Sequence, residues 1–188
     1  MTNLLSVEWT TLPSPVDDGA ADHLLGMTFA PVSLPSTEDK LVNVAALQGL
    51  TVIYAYPMTG RPGKALPDGW DMIPGARGCT PQSCAFRDHF AELRSLGVDH
   101  LFGLSTQTRE DQVEAVNRLH LPFPLLSDAD YLLAQAMGLP QFEVGNKRLL
   151  KRMTLIVRQG RVINVFYPVF PPDENAQHVM HWLRSHAT

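Results

Sequence analysis

From residue 27 onward the sequence alternates short β-branched or aromatic runs with longer segments of helical periodicity, and no other feature narrows the fold as far. The strand candidates are Val32–Leu34, Leu41–Asn43, Thr51–Tyr56, His100–Ser105, Thr154–Val157 and Arg161–Tyr167, each bounded by turn signals. Arg158-Gln159-Gly160 joins the last two, a short Gly-containing link that predicts an antiparallel hairpin. Helix candidates are Thr80–Leu96, Arg109–Leu119, Tyr131–Met137 and Glu174–Ser185. In the first, Phe86, Phe90, Leu93 and Leu96 form one apolar stripe that should face a sheet. The last follows Pro171-Pro172, with Asp173 as the expected N-cap and Val179, Met180, Trp182 and Leu183 as its buried side. This order predicts an α/β chain: a central mixed β-sheet flanked by helices. At 188 residues, 45% of them hydrophobic, the chain can build one sizeable core.

The N-terminal part reads differently. Residues 1–39 hold six acids and no Lys or Arg, and Pro13 and Pro15 fall early, so residues 1–22 are expected to be an extension packed on, or trailing from, a domain spanning 23–188. The formal charge of −4 supplies no basic field for a phosphate backbone, which argues against nucleic acid as a partner. No stretch approaches the roughly 18 apolar residues of a membrane span, and no secretory signal is visible, so a cytoplasmic protein away from membranes is expected.

Two cysteines, Cys79 and Cys84, stand close together in PGARGCTPQSCAFRD at the start of the first helix candidate. Two cysteines cannot make a disulfide framework. At a helix start, unpaired N–H groups and the positive end of the dipole favour a thiolate, which makes Cys79 the better nucleophile, and Arg77 could add to the effect. Five residues along an ideal helix rise about 7.5 Å and turn about 140°. A disulfide needs Cα atoms within about 7 Å, so the pair cannot bond without opening the helix. Pro81 places the weak point in the first turn. Other readings stay open for these residues alone: two small apolar packing residues, or a zinc site, although the nearest His, His89, gives no recognised ligand spacing. Arg152 by itself reads as one charge in the run Lys147, Arg148, Lys151, Arg152.

Over about residues 24–186 the sequence resembles the peroxiredoxins, and among them the bacterioferritin-comigratory or Q-type group. The likeness rests on LTVIYAYP (50–57), on Pro-Gly-Ala-Arg-Gly-Cys79-Thr-Pro-Gln-Ser-Cys84-Ala-Phe-Arg-Asp88, and further on FGLS (102–105), FPLLSD (123–128) and KRMTLI (151–156). It implies a thioredoxin-like fold, in keeping with the element order above. It also implies a thiol-dependent peroxidase in which Cys79 attacks a hydroperoxide and becomes a sulfenic acid, and Cys84 closes an intramolecular disulfide. Arg152 would then hold the Cys79 thiolate and hydrogen-bond the peroxide, work suited to a fixed guanidinium. The implied partners are hydrogen peroxide or a small alkyl hydroperoxide and a thioredoxin-like or other dithiol reductant; no cofactor and no metal is required, and a monomer or weak dimer is expected. A thiol–disulfide oxidoreductase, or a redox sensor without turnover, would use the same pair.

The active-site loop departs from the family pattern, which places a proline seven residues and a hydroxyl three residues before the cysteine. Ala76 occupies the hydroxyl position and Pro57 lies 22 residues upstream of Cys79, an insertion of 15 residues over about 59–73. Thr59 could supply the missing hydroxyl if the insertion loops out, or could be a plain turn residue before Gly60. The insertion, with its prolines, glycines and Trp70, is expected to be a structured loop that covers the Cys79 pocket and shapes which peroxides enter.

Overall fold

A computed structural model describes residues 7–186. Its strands are β1 (Ser33–Pro35), β2 (Leu41–Asn43), β3 (Leu50–Ala55), β4 (His100–Ser105), β5 (Leu125–Ser127), β6 (Gln141–Val144), β7 (Lys147–Leu150), β8 (Met153–Arg158) and β9 (Arg161–Phe166). Its α-helices are α1 (Cys79–Asp88), α2 (Phe90–Ser95), α3 (Arg109–Leu119), α4 (Leu132–Met137) and α5 (Asn175–Ser185). The central sheet has the order β5-β4-β3-β8-β9, with β3, β4 and β5 parallel and β8 antiparallel to both β3 and β9. This is the expected mixed α/β architecture, and the terminal hairpin is in place.

All six residues of β3 are buried because the strand has a helical layer on each side. Its alternation decides which residue enters which core. Val52, Tyr54 and the following Tyr56 join Phe86 of α1, Leu93 of α2, Ala115 of α3 and Val179 of α5. Ile53 and Ala55 point the other way, to Leu34 of β1, Leu133 and Met137 of α4, and Leu155 of β8. Each large apolar side chain buried this way contributes roughly 1.5–3 kcal/mol. Tyr54 is the centre of its layer: its ring stacks on Phe86 at 4.5 Å, and its hydroxyl donates to Ser83 at 3.1 Å.

Four local expectations change. The helix expected over 80–96 is two, because His89 leaves helical geometry (φ −101°, ψ 10°) and serves as C-cap of α1 and N-cap of α2. No Gly or Pro marks that break, and Phe86 and Leu93 are fully buried on either side of it, so the apolar stripe runs straight through. The short strand β5 is absent from the strand candidates, because Pro122 and Pro124 directly before it mask it. The β6–β7 hairpin turns at Gly145 (φ 58°) and has the exposed Lys147 and Arg148 on it, so its charges hid its pairing. Asp173 is not the cap of α5: it sits in the preceding 3₁₀ turn, and its Oδ2 accepts from the Trp9 indole at 2.9 Å.

Residues 9–18 lie on the domain. Trp9 meets Phe170 edge-on at 6.1 Å, and Asp18 accepts from Lys151 Nζ at 2.6 Å and from the Tyr167 hydroxyl at 2.7 Å. Residues 1–6 of the expected extension, and the last two of the expected domain, fall outside the described residues.

Candidate active site

β3 and β8 pair in register from Leu50↔Arg158 to Ala55↔Met153, so the chain leaving β3 and the residue entering β8 meet at one sheet end. Tyr56 and Pro57, both buried, occupy that end from β3; Arg152 occupies it from β8. α1 begins over the same end. Its N-cap is Gly78, at φ 112°, and its first residue is Cys79. A Cβ at Gly78 would stand 2.3 Å from Pro172 Cγ and 2.9 Å from the Trp9 ring, so only glycine permits both the backbone turn and the packing.

Cys79 is 3% exposed. Its thiol donates to the Ala76 carbonyl at 3.7 Å and its Sγ accepts from Arg152 Nη2 at 3.2 Å. The Ala76 position thus presents a backbone carbonyl to the sulfur where the family pattern has a hydroxyl. Arg152 is also 3% exposed. Nη2 reaches the carbonyls of Gly75 (3.3 Å), Ala76 (3.1 Å) and Arg77 (3.3 Å), and Nη1 donates to Gln82 Oε1. Among the described residues no carboxylate pairs with this buried cation. Every other group bonded to it is a neutral oxygen, so the Cys79 sulfur is the one contact able to carry a full opposing charge. An unopposed buried guanidinium is costly, and an anion on Cys79 would offset that cost.

Gln82 and Asn175 extend the arrangement. Gln82 is fully buried one turn into α1; its Nε2 donates to Asn175 Oδ1 at 3.0 Å, and Thr154 Oγ1 donates to the same oxygen at 2.6 Å. α1, β8 and α5 are thereby tied into one polar cluster behind the Cys79–Arg152 contact. Sequence reasoning passed over both residues. Gln82 stood in the cysteine motif without a role, and Asn175 stands at the start of a helix read only for its apolar side.

Cys84 lies in the same helix, half-buried, and both cysteines are free. Burial pushes the Cys84 thiol up, opposed by nearby Arg87. Since both sulfurs belong to one continuous α1, the geometric bar to a resting disulfide derived from their spacing applies to the fold.

Thr59 does not reach this cluster. It is buried, but its hydroxyl donates to Gln107 Oε1 at 3.2 Å, its N–H donates to the same oxygen at 2.9 Å, and its carbonyl accepts from Gln107 Nε2. The side-chain amide clamps Thr59 to the start of the β4–α3 connection. Arg77 also turns outward, pairing with Asp71 at 2.6 Å. The inserted loop packs mainly on the β6–β7 hairpin: Trp70 is buried against Phe142 and Leu149. Its trailing residue Ile73 lines a cavity of about 240 Å³ that reaches Arg152. Among the described residues no group of three or more His, Cys, Asp or Glu is placed to hold a metal, and no helix is long and apolar enough to cross a membrane.

Residues 24–180 match the family model described as Redoxin. The chain is 30% identical over 159 residues to Peroxiredoxin Bcp of Escherichia coli K12, an alignment covering 82% of this chain and 92% of that one. It is 27% identical over 162 residues to the chloroplastic Peroxiredoxin Q of Sedum lineare, covering 85% and 77%. The solved structure of peroxidoxin BcpB from Mycobacterium tuberculosis superposes with a TM-score of 0.69 at 25% identity, over 87% of this chain and 98% of that one. The fold and the family resemblance agree.

Proposed function

The chain belongs to the Redoxin family as a peroxiredoxin, a thiol peroxidase, and on that premise we propose that Cys79 is its peroxide-attacking sulfur and Cys84 the sulfur that resolves the product. The observation that carries this reading is the 3.2 Å contact from Arg152 to Cys79, made by a buried cation with no carboxylate of its own among the described residues.

In the proposed cycle the Cys79 sulfur attacks the terminal oxygen of a hydroperoxide. An S–O bond forms as the O–O bond breaks, and the remaining oxygen leaves, once protonated, as water or an alcohol. Arg152 lines the adjoining cavity, so charge moving onto the departing oxygen develops beside a fixed donor rather than in mobile water. Cys79 is left as a sulfenic acid. Cys84 then attacks that sulfur, water departs, and the intramolecular disulfide is reduced by an external dithiol of the thioredoxin type. Pro57 is assigned the closing of the sheet end beneath the sulfur. Thr59, held by Gln107, keeps only an indirect share, through the position of the loop that leaves Pro57.

The deciding experiment follows hydrogen peroxide consumption with a recycling dithiol for wild type, Cys79→Ser and Cys84→Ser. Turnover should vanish in the first, and in the second it should slow and end in overoxidation of Cys79. Sustained turnover by Cys79→Ser overturns the assignment; oxidation of wild type without turnover would favour a redox sensor.

A further inference from the structure

The segment 9–18 precedes the stretch matched by the family model, yet it forms part of the wall beside Arg152. It is anchored at both ends. Trp9 is fixed by Asp173 and Phe170, next to the Gly78 turn that starts α1. Asp18 is fixed by Lys151 and Tyr167, which hold its carboxyl well below the usual carboxylate range, so this anchor stays charged throughout the neutral region. Lys151 is the immediate neighbour of Arg152. The strap is therefore tied to the backbone that presents the guanidinium.

Between the anchors, Pro15 and Val16 join Ile73, Phe142 and Val169 around the cavity of about 240 Å³, with Arg152 on its lining. Val16 is 82% exposed, an apolar side chain held at the cavity mouth with almost nothing over it. The cavity thus combines a cation on its lining with a largely apolar wall, which suits a molecule with an oxygen-rich head and an apolar body. Hydrogen peroxide has no such body and gains nothing from the wall.

We infer that the strap 9–18 is a specificity element: Val16 and Pro15 form the outer wall against which the apolar group of a bulky alkyl or aryl hydroperoxide packs while its peroxide end meets Arg152, the cation bonded to Cys79. The inference rests on the peroxidase reading above and adds to it the residues that select among hydroperoxides.

The test compares second-order rate constants for cumene hydroperoxide and hydrogen peroxide, each with a recycling dithiol. Val16→Asp should lower the cumene-to-hydrogen-peroxide ratio about tenfold, the scale of one lost apolar contact in a pocket. Val16→Leu should keep or raise it. Because Val16 is exposed, both variants should melt with wild type, which separates selectivity from misfolding. Leu41→Ser, at another exposed apolar residue on β2, should leave the ratio unchanged. An unmoved ratio in Val16→Asp, or the same fall in Leu41→Ser, overturns the role of the strap while leaving the peroxidase reading intact. Failure of wild type to consume either peroxide overturns both.

Discussion

Arg152 and Cys79 stand 73 residues apart in the chain and 3.2 Å apart in the fold, guanidinium to sulfur, both almost wholly buried. One enters from the end of a β-strand and the other from the start of a helix. Neither has another charged partner among the groups bonded to it.

If that contact stabilises charge on sulfur and on the departing oxygen, Arg152→Lys should slow peroxide reduction about a hundredfold, because an ammonium cannot reach the sulfur, Gln82 and the loop carbonyls from one plane. Stopped-flow measurement of the first oxidation step checks it. A wild-type rate in a folded Arg152→Lys protein would contradict the role.

Gln82→Leu removes the acceptor of Arg152 Nη1 and the donor to Asn175 together. Leaving these buried polar groups unmade should cost about 1–3 kcal/mol in urea denaturation. It should also slow oxidation of Cys79 by releasing the guanidinium from one of its supports. Loss of stability with an unchanged oxidation rate would make Gln82 purely structural.

Gly78→Ala forces a side chain into a positive-φ turn with Pro172 Cγ 2.3 Å away. Strain of this kind costs about 1–3 kcal/mol before the clash is counted. A melting temperature equal to wild type would show that the turn relaxes freely.

Closure of the disulfide should become faster as pH rises into the alkaline range, because burial raises the Cys84 thiol above its usual value and the attacking species is the thiolate. The sign follows from the shift: fewer Cys84 thiolates are present at neutral pH than for an exposed cysteine. The check is the rate of disulfide formation after one equivalent of peroxide, measured across the alkaline range. A rate already level at neutral pH would contradict it.

Since both cysteines lie in α1, oxidation must unwind part of that helix. Amide exchange over 79–86 should accelerate in the disulfide form relative to the reduced form. Equal protection in the two forms would rule out the opening.

Much of this was legible in the residues themselves. The strand and helix order follows from local periodicity, and β3 showed as a run of β-branched, aliphatic and aromatic residues because both of its faces are covered. The placement of Cys79 at a helix start was legible because the signals that begin a helix lie in a few adjacent residues. β5 was not, since it pairs with β4 some twenty residues away and follows two prolines, and the β6–β7 hairpin was not, since its charged side chains hide a local pairing. The break at His89 had no local sign at all.

The sequence by itself therefore determined the layered α/β plan and the placement of Cys79 at a helix start with Cys84 in the same helix, both of which depend on signals along the chain. Only the tertiary structure decided that Arg152 is a buried partner of the sulfur while Lys147 and Arg148 remain in solvent, that Thr59 answers to Gln107, and that Gln82 and Asn175 support the cation. The physical reason is the same in each case. The state of a polar side chain is set by which neutral or charged groups surround it after water is removed, and those groups come from elements far away in sequence.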